Sequence, residues 1–137
     1  MTDTPLYTFN KQEKLKSRKL LEALFANGKT FLVFPVKVLY MVVEEPLDFP
    51  VKVGVGASSK KFKRAMDRNR IKRLLRENYR LQKQPLHHFT TAHNKQVAVF
   101  LMYIDKALPD NKLLQKKMPM LIDKLITALG ENNTVAH

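Results

Sequence analysis

The sequence contains no cysteine and no tryptophan among its 137 residues, and it has only four glycines. Without cysteine the chain can form no disulfide, no thiolate metal site and no thiol nucleophile. No apolar run approaches the roughly 18 residues that a membrane-spanning helix needs, and the N-terminus lacks the basic and apolar regions of a secretory signal. We therefore expect a soluble, cytoplasmic protein without a membrane partner.

Acidic residues are also scarce, since 12 Asp and Glu stand against 25 Lys and Arg, a formal net charge of +13. Such an excess favours a polyanionic partner, with nucleic acid as the first candidate and an anionic membrane surface as the second. Only Glu44 and Glu45 are adjacent acids, and no spacing would hold two metal ions. His87, His88 and His93 have no neighbouring carboxylate in the sequence. We expect no catalytic residue, no metal ligand and no organic cofactor in the protein itself.

Hydrophobic patterning predicts a single α/β domain spanning residues 1–137, because the chain is 45% hydrophobic and long enough for one core. We expect flexible ends at about residues 1–8 and 131–137, and a loop at 84–94. Gly54 and Gly56 would leave room for the backbone of a neighbouring strand to approach closely. The predicted elements are a helix from Ser17 to Gly28, strands at 31–43 and 51–57, a helix at about 64–82, an interior strand at 97–104, and a helix from Asp110 to Gly130.

Positive charge is concentrated in residues 60–83, where eleven Lys and Arg and two acids give +9 of the total charge. At about 100° per residue, basic and apolar side chains fall on different sides of the predicted helix. The basic side holds Arg68, Lys72, Arg73, Arg76 and Arg80. The apolar side holds Ile71, Leu74, Leu75 and Leu81. Burying each core side chain contributes about 1.5 to 3 kcal/mol, which would fix the direction of the basic face.

This basic face is a candidate nucleic-acid surface. The alternative is an ordinary solvated helix, but such helices mix charges of both signs, and this one has almost no acids for i,i+4 pairs. Arginine suits phosphate oxygens and stacks on bases, and Asn69 can read a base edge or a ribose. If about six cations meet phosphates, affinity should fall about a thousandfold from 50 to 200 mM salt. The charge pattern by itself leaves RNA and duplex DNA open.

A specific motif lies in the same segment. Ser59-Lys60-Lys61 precedes the run from Asp67 to Arg80, which reads DRNRIKRLLRENYR and joins Arg-Asn-Arg-x-Lys-Arg to Leu-x-Arg-Glu. This run resembles the signature of the bacterial ribonuclease P protein family. Leu24-Phe25 before Gly28 and Val38-Leu39-Tyr40 resemble the family's first helix and first strand, so the resemblance covers about residues 9–129.

The resemblance implies a two-layer α-β-β-β-α-β-α sandwich, with the basic helix in a left-handed βαβ crossover, against the usual right-handed rule. The patterning itself shows only three clear strands. The third strand before the basic helix must therefore be short, or must come from splitting one of the first two strand regions.

The resemblance also implies a function, namely the protein subunit of ribonuclease P, an endonuclease that removes the 5′ leader of precursor tRNA. Its partners would be the catalytic RNA and precursor tRNA, with no obligate protein partner, and Mg²⁺ bound mainly by the RNA would serve the chemistry. Phe25 and Tyr40 would stack on the leader. The residues implied to bind the catalytic RNA are Lys60, Lys61, Arg68, Asn69, Arg70, Lys72, Arg73 and Arg76. We add Arg80, which lies on the same basic side of the helix, to the predicted RNA-binding residues.

Two departures from the family pattern stand out. Leu21 occupies a position where many members carry an aromatic residue, and Lys63-Arg64-Ala65 replaces Gly-Asn-Ala before the signature. Loss of that glycine removes conformational freedom where the helix begins. The main functional alternative is a ribosome-associated RNA-binding protein with no role in cleavage, and a third is a helix that reads duplex DNA.

Overall fold

The computed structural model describes residues 13–44 and 49–135, with side chains up to residue 130. The predicted flexible segment 1–8 lies outside the described residues, and the flexibility of both ends stays a prediction. The elements of the described chain are α1 (Arg18–Asn27), β1 (Lys29–Val33), β2 (Val36–Val42), β3 (Val51–Ala57), α2 (Ala65–Gln82), α3 (Gln84–Ala92), β4 (Val97–Tyr103) and α4 (Asn111–Val135).

The four strands form one sheet in the order β1-β2-β4-β3. β2 pairs antiparallel with β1 and with β4, whereas β3 pairs parallel with β4. A parallel pair needs a crossover connection, which α2 and α3 supply. The predicted interior position of β4 is confirmed. The left hand of this crossover stays a prediction.

The first predicted strand, residues 31–43, is two strands, because the chain reverses at Phe34 and Pro35 and pairs with itself from Lys29 to Tyr40. This split accounts for the third strand that the patterning did not resolve. At the β3 edge of the sheet, Lys14 forms a short parallel bridge with Val53, and the Leu15 amide donates to the Val53 carbonyl at 3.0 Å. The free edge of β3 is therefore partly covered by the segment before α1.

Both faces of the sheet are covered, and alternate residues of each strand serve different faces. Val38, Val53 and Val99 face the main core, which α2, α3 and α4 close. Leu39, Ala98 and Phe100 face α1, together with Leu15 and Leu24. The predicted α/β fold is confirmed, and the two faces of the sheet are free to carry different functions.

Two predictions about the helices are wrong. Residues 84–92, expected to be a loop, form α3, because Pro85 suits the first turn of a helix and Leu86 and Thr90 are buried one turn apart. α4 continues through Pro119 and past its predicted end at Gly130 to Val135. Its start is as expected, since the Lys112 amide donates to Asp110 Oδ1 at 3.2 Å. Across residues 13–44 and 49–135, no helix combines the length and apolarity needed to cross a membrane.

Candidate nucleic-acid interface

Helix α2 is held against the core by Ile71 and Leu75, both 0% exposed, and by the buried Asn78 and Tyr79. Asn78 Nδ2 donates to the Leu74 carbonyl and to Asn111 Oδ1, both at 2.9 Å. The predicted burial of Leu81 is wrong, since this residue of the last turn is 39% exposed. The buried side of the helix is therefore rotated, so that it includes Tyr79 and excludes Leu81.

The rotation of α2 exposes Asn69, Arg70, Arg73 and Arg76 together. Arg70 was not among the residues that helical spacing placed on the basic side, yet it is exposed beside Arg73. No carboxylate of the described residues forms an ion pair with Arg70, Arg73 or Arg76. These three arginines form an exposed, uncompensated cationic face.

Other cations of the helix are engaged within the chain. Arg80 forms an ion pair with Glu77 one turn earlier, and this hydrogen bond lowers the pKa of the Glu77 carboxyl and raises the pKa of Arg80. Lys72 is half-buried. The predicted RNA-binding residues Arg80 and Lys72 are thus at the margin of the exposed face, and Arg80 shares its charge with Glu77.

Arg68 has a third kind of environment. Its Nη1 donates to the Phe62 carbonyl at 2.7 Å and to the Lys63 carbonyl at 2.9 Å. The guanidinium therefore bridges α2 to the segment before it, rather than projecting with Arg70 and Arg73. Any contact between Arg68 and a partner would have to be made through its remaining N–H groups.

Residues 58–64 form the entry loop, which leads from β3 into α2. Lys60 and Lys61 are exposed on this loop, and Lys61 Nζ donates to the Ile104 carbonyl. Lys63 stands where the family has glycine, and its φ is not positive, so the backbone at this position does not require glycine's conformational freedom. The Arg64 guanidinium lies 3.8 Å from Asp67.

A different surface lies on the α1 side of the sheet. Phe25 is 51% exposed, and its ring meets the Phe100 ring edge to face at a centroid distance of 5.1 Å. Gly54 and Gly56 lie under the Phe100 ring, so closely that a Cβ on either would come within 2.8 Å of a ring carbon. A close approach is found at these glycines, but the prediction that backbone approaches them is wrong, because the approaching group is the Phe100 ring.

Tyr40 does not join this aromatic surface. It is 6% exposed and faces the main core, where its ring lies 5.8 Å from the ring of Phe31. The prediction that Tyr40 and Phe25 line one cleft is wrong. Neighbouring residues of a strand point to opposite faces, so Leu39 faces α1, which carries Phe25, while Tyr40 faces the main core. Leu21, at the family's aromatic position, is partly buried and packs in the apolar cluster under α1.

Phe100 was missed as a candidate because every residue of the run 97–104 is apolar, so the run shows no alternation. The spacing of Gly54 and Gly56 was the available signal. In the parallel pair, Gly54 lies opposite Phe100, and both glycines belong to the face towards α1. Glycine inside a strand marks a place where another group approaches the backbone closely, and here that group is the Phe100 ring.

A buried charged cluster ties the chain before α1 to α2 and α3. Lys83 Nζ lies 2.6 Å from Glu13 Oε1, and both side chains are almost fully buried. His87 Nε2 lies 3.7 Å from the same oxygen and 3.1 Å from the Tyr79 hydroxyl. Burial lowers the pKa of His87 to about 4, with Lys83 adding to the effect and Glu13 opposing it. We call this group, Glu13, Tyr79, Lys83 and His87, the buried ionic cluster.

The described acidic and histidine side chains are dispersed. Within residues 13–44 and 49–130, no three His, Asp or Glu side chains are grouped so as to hold a metal ion. Glu13, Asp67 and Glu77 each face a cation of the chain instead. The arrangement suits binding of an anionic polymer at α2 and of flat, apolar groups at Phe25 and Phe100.

Comparison with known proteins points in the same direction. A family profile described as Ribonuclease P matches residues 9–125. The ribonuclease P protein component of Porphyromonas gingivalis strain W83 is 33% identical over 118 residues, 86% of each chain. That of Chlorobium phaeobacteroides is 29% identical over 137 aligned residues, covering 91% of this chain and 92% of the relative.

Solved structures share the fold at lower sequence identity. The RNase P protein of Staphylococcus aureus matches with a TM-score of 0.64 and 19% identity, covering 84% of this chain and 96% of that one. The RNase P protein of Thermotoga maritima matches with a TM-score of 0.62 and 21% identity, covering 82% of this chain and 96% of that one. The family profile, the curated relatives and the shared fold agree, and the chain belongs to the ribonuclease P protein family.

Proposed function

We propose that this protein binds the catalytic RNA of ribonuclease P through the exposed face of α2 and binds the 5′ leader of precursor tRNA on the α1 side of the sheet. As a member of its family, the chain is the protein part of an endoribonuclease, a hydrolase of tRNA processing. In this proposal the RNA subunit performs the hydrolysis that releases the leader and leaves the mature 5′ end. The protein raises affinity and places the substrate.

The observation that supports RNA binding most directly is the state of Arg70, Arg73 and Arg76. They are exposed and have no carboxylate partner among the described residues, while Ile71 and Leu75 on the other side of the helix are fully buried. A guanidinium fork donates two parallel hydrogen bonds to a phosphate. Packing therefore holds a set of phosphate ligands in a fixed direction before the partner arrives.

The leader would lie along Phe25 and Phe100. Single-stranded bases stack on aromatic rings, at about 1 to 3 kcal/mol per base. Phe25 offers an exposed ring, and the half-buried Phe100 supports it from below. Tyr40 cannot take this role while it is buried on the opposite face of the sheet.

Mg²⁺ enters the proposal as an ion held mainly by the RNA. Glu13, Asp67 and Glu77 are each occupied by a lysine or arginine of the same chain, so they are poorly suited to supply a carboxylate site. Mg²⁺ would supply an activated water and neutralise the developing charge. The protein's own part is to neutralise phosphates where two polyanions meet, which should lower the Mg²⁺ concentration needed for cleavage.

Cleavage of precursor tRNA by the purified catalytic RNA at low Mg²⁺, with and without the protein, tests this function. We expect stimulation by the wild-type protein and loss of stimulation when Arg70, Arg73 and Arg76 are all changed to Gln. The matched control changes the exposed Lys106, Lys112 and Lys116, which removes the same charge elsewhere. The control should stimulate like the wild type.

Three results would contradict the proposal. Binding of the catalytic RNA without stimulated cleavage would favour a ribosome-associated RNA-binding protein, and preference for duplex DNA would favour a DNA reader. Full stimulation by the triple Arg variant would show that the exposed face of α2 is not the binding surface.

A further inference from the structure

The entry loop, residues 58–64, carries four cations directly before α2: Lys60, Lys61, Lys63 and Arg64. Phe62 attaches the loop to the core, where it is buried against Tyr103 with ring centroids 6.0 Å apart, and the Lys61 ammonium donates to the Ile104 carbonyl. The Phe62 amide donates to the Ser58 carbonyl at 3.0 Å, and the Lys60 amide to Ser58 Oγ at 3.2 Å. These local bonds shape the loop but do not join it to α2.

The junction between the loop and α2 has no ordinary cap. Arg64 occupies the N-cap position and its side chain makes no capping hydrogen bond. Arg68, from the first turns of α2, reaches back instead and donates through Nη1 to the carbonyls of Phe62 and Lys63. An Nη1 nitrogen carries two hydrogens, so both are used, and hydrogen bonds from a charged donor are stronger than neutral ones.

We propose that Arg68 is a positioning residue, which clamps the entry loop to α2 so that the loop cations and the exposed arginines of α2 form one rigid surface for RNA. The second part of this statement rests on the proposed function, whereas the clamp itself belongs to the protein alone. The first arginine of the Arg-Asn-Arg motif would then differ in role from the second, since Arg70 is exposed and unpaired with any described carboxylate.

The clamp predicts a specific fault when Arg68 is changed. The loop should loosen and the contribution of Lys60 and Lys63 to RNA binding should fall, although those lysines are untouched. If Arg68 were only a phosphate ligand, its loss would remove one contact and leave the loop lysines at full effect. Residues that do not share a partner contribute additively to binding, whereas coupled residues do not.

Hydrogen exchange of the free protein tests the clamp without any RNA. Arg68→Met keeps the side-chain stem but removes every donor, and Arg68→Lys keeps the charge but loses the fork. We expect the Phe62 and Asp67 amides, which donate to Ser58 and Arg64, to exchange about tenfold faster or more in Arg68→Met, with a smaller increase in Arg68→Lys. Arg73→Met should leave both amides unchanged. Unchanged exchange in both Arg68 variants would overturn the proposal.

A double-mutant cycle then tests the consequence for RNA. Lys63→Ala should weaken binding of the catalytic RNA severalfold in the wild-type background and about twofold or less in the Arg68→Lys background. In the Arg73→Met background its effect should be the same as in the wild type. Equal effects of Lys63→Ala in all three backgrounds would overturn the coupling.

The two experiments separate the possible failures. If Arg68→Met does not fold, as judged by circular dichroism, Arg68→Lys carries both tests. If the wild-type protein fails to bind the catalytic RNA at all, the proposed function is wrong, while hydrogen exchange still decides whether Arg68 holds the loop.

Discussion

Two groups of charged residues, one on helix α2 and one beside it, differ in solvent exposure and in ion pairing. Arg70, Arg73 and Arg76 are exposed and have no carboxylate partner in the described part of the chain, whereas Glu13 and Lys83 are buried and paired at 2.6 Å. Water solvates the first group in the free protein, so it remains available to phosphates. The second group has lost its water and depends on its partner. Exposed, unpaired charge therefore points to binding, and buried, paired charge points to stability.

The largest expected effect comes from breaking the buried pair. Glu13→Gln leaves the Lys83 ammonium buried without a counter-charge, and we expect the free energy of unfolding in urea to fall by about 3 to 5 kcal/mol. The double variant Glu13→Gln, Lys83→Met should be destabilised by less than Glu13→Gln alone. A loss below about 1 kcal/mol in Glu13→Gln would show that the pair is not structural.

The exposed arginines should show the opposite behaviour. Changing Arg70, Arg73 and Arg76 to Gln should alter the free energy of unfolding by less than about 0.5 kcal/mol per site. Binding of the catalytic RNA should weaken by about 3 kcal/mol, and the slope of log affinity against log salt should fall by about 3. Affinities measured between 50 and 200 mM salt check both the loss of binding free energy and the change in slope. An unchanged slope would contradict phosphate contacts at these residues.

The buried ionic cluster should also make stability depend on pH. The pKa of His87 falls from 6.5 to about 4 on folding, chiefly through burial, so the unfolded chain takes up this proton first. The contribution of neutral His87 to the free energy of unfolding is therefore fully present above pH 6.5 and is lost as the pH falls towards 4. Since His87 keeps part of its ring in solvent, we expect the free energy of unfolding to fall by about 2 kcal/mol over this pH range. In urea unfolding, the stability of His87→Gln should depend less on pH than that of the wild type. His88→Gln, at an exposed site, should show the same pH dependence as the wild type.

The smallest effect should separate the two faces of the sheet. Phe25→Leu should weaken binding of precursor tRNA by about 1 kcal/mol, or about fivefold, through loss of stacking. Binding of tRNA without a leader should not change. Tyr40→Phe, in the buried core, should affect neither ligand. A larger loss of leader binding in Tyr40→Phe than in Phe25→Leu would reverse our assignment of the faces.

Local patterns predicted the elements whose formation depends on neighbours along the chain. The bounds of α1, α2 and β3 follow from the cap at Ser17, the 3.6-residue period and the β-branched run, and the structure confirms them. The sequence did not predict α3, because Pro85 and three histidines are typical of a loop. The apolar side of this helix is buried through contact with α4, which lies far along the chain. The turn at Phe34 and Pro35 was hidden inside a continuous β-favouring segment.

The sequence by itself determined that this protein carries a strongly cationic helix with one apolar side, and the motif in that helix identified the family. The tertiary structure alone decided which cations face solvent, because the rotation of α2 depends on how Ile71, Leu75 and Tyr79 fit the core. It also placed Arg68 against two loop carbonyls, Glu13 against Lys83, and Phe25 beside Phe100. The last two contacts join residues far apart in the chain, and the Arg68 contact, although local, depends on how the loop turns back beside the helix, so no periodic pattern in the sequence encodes any of them.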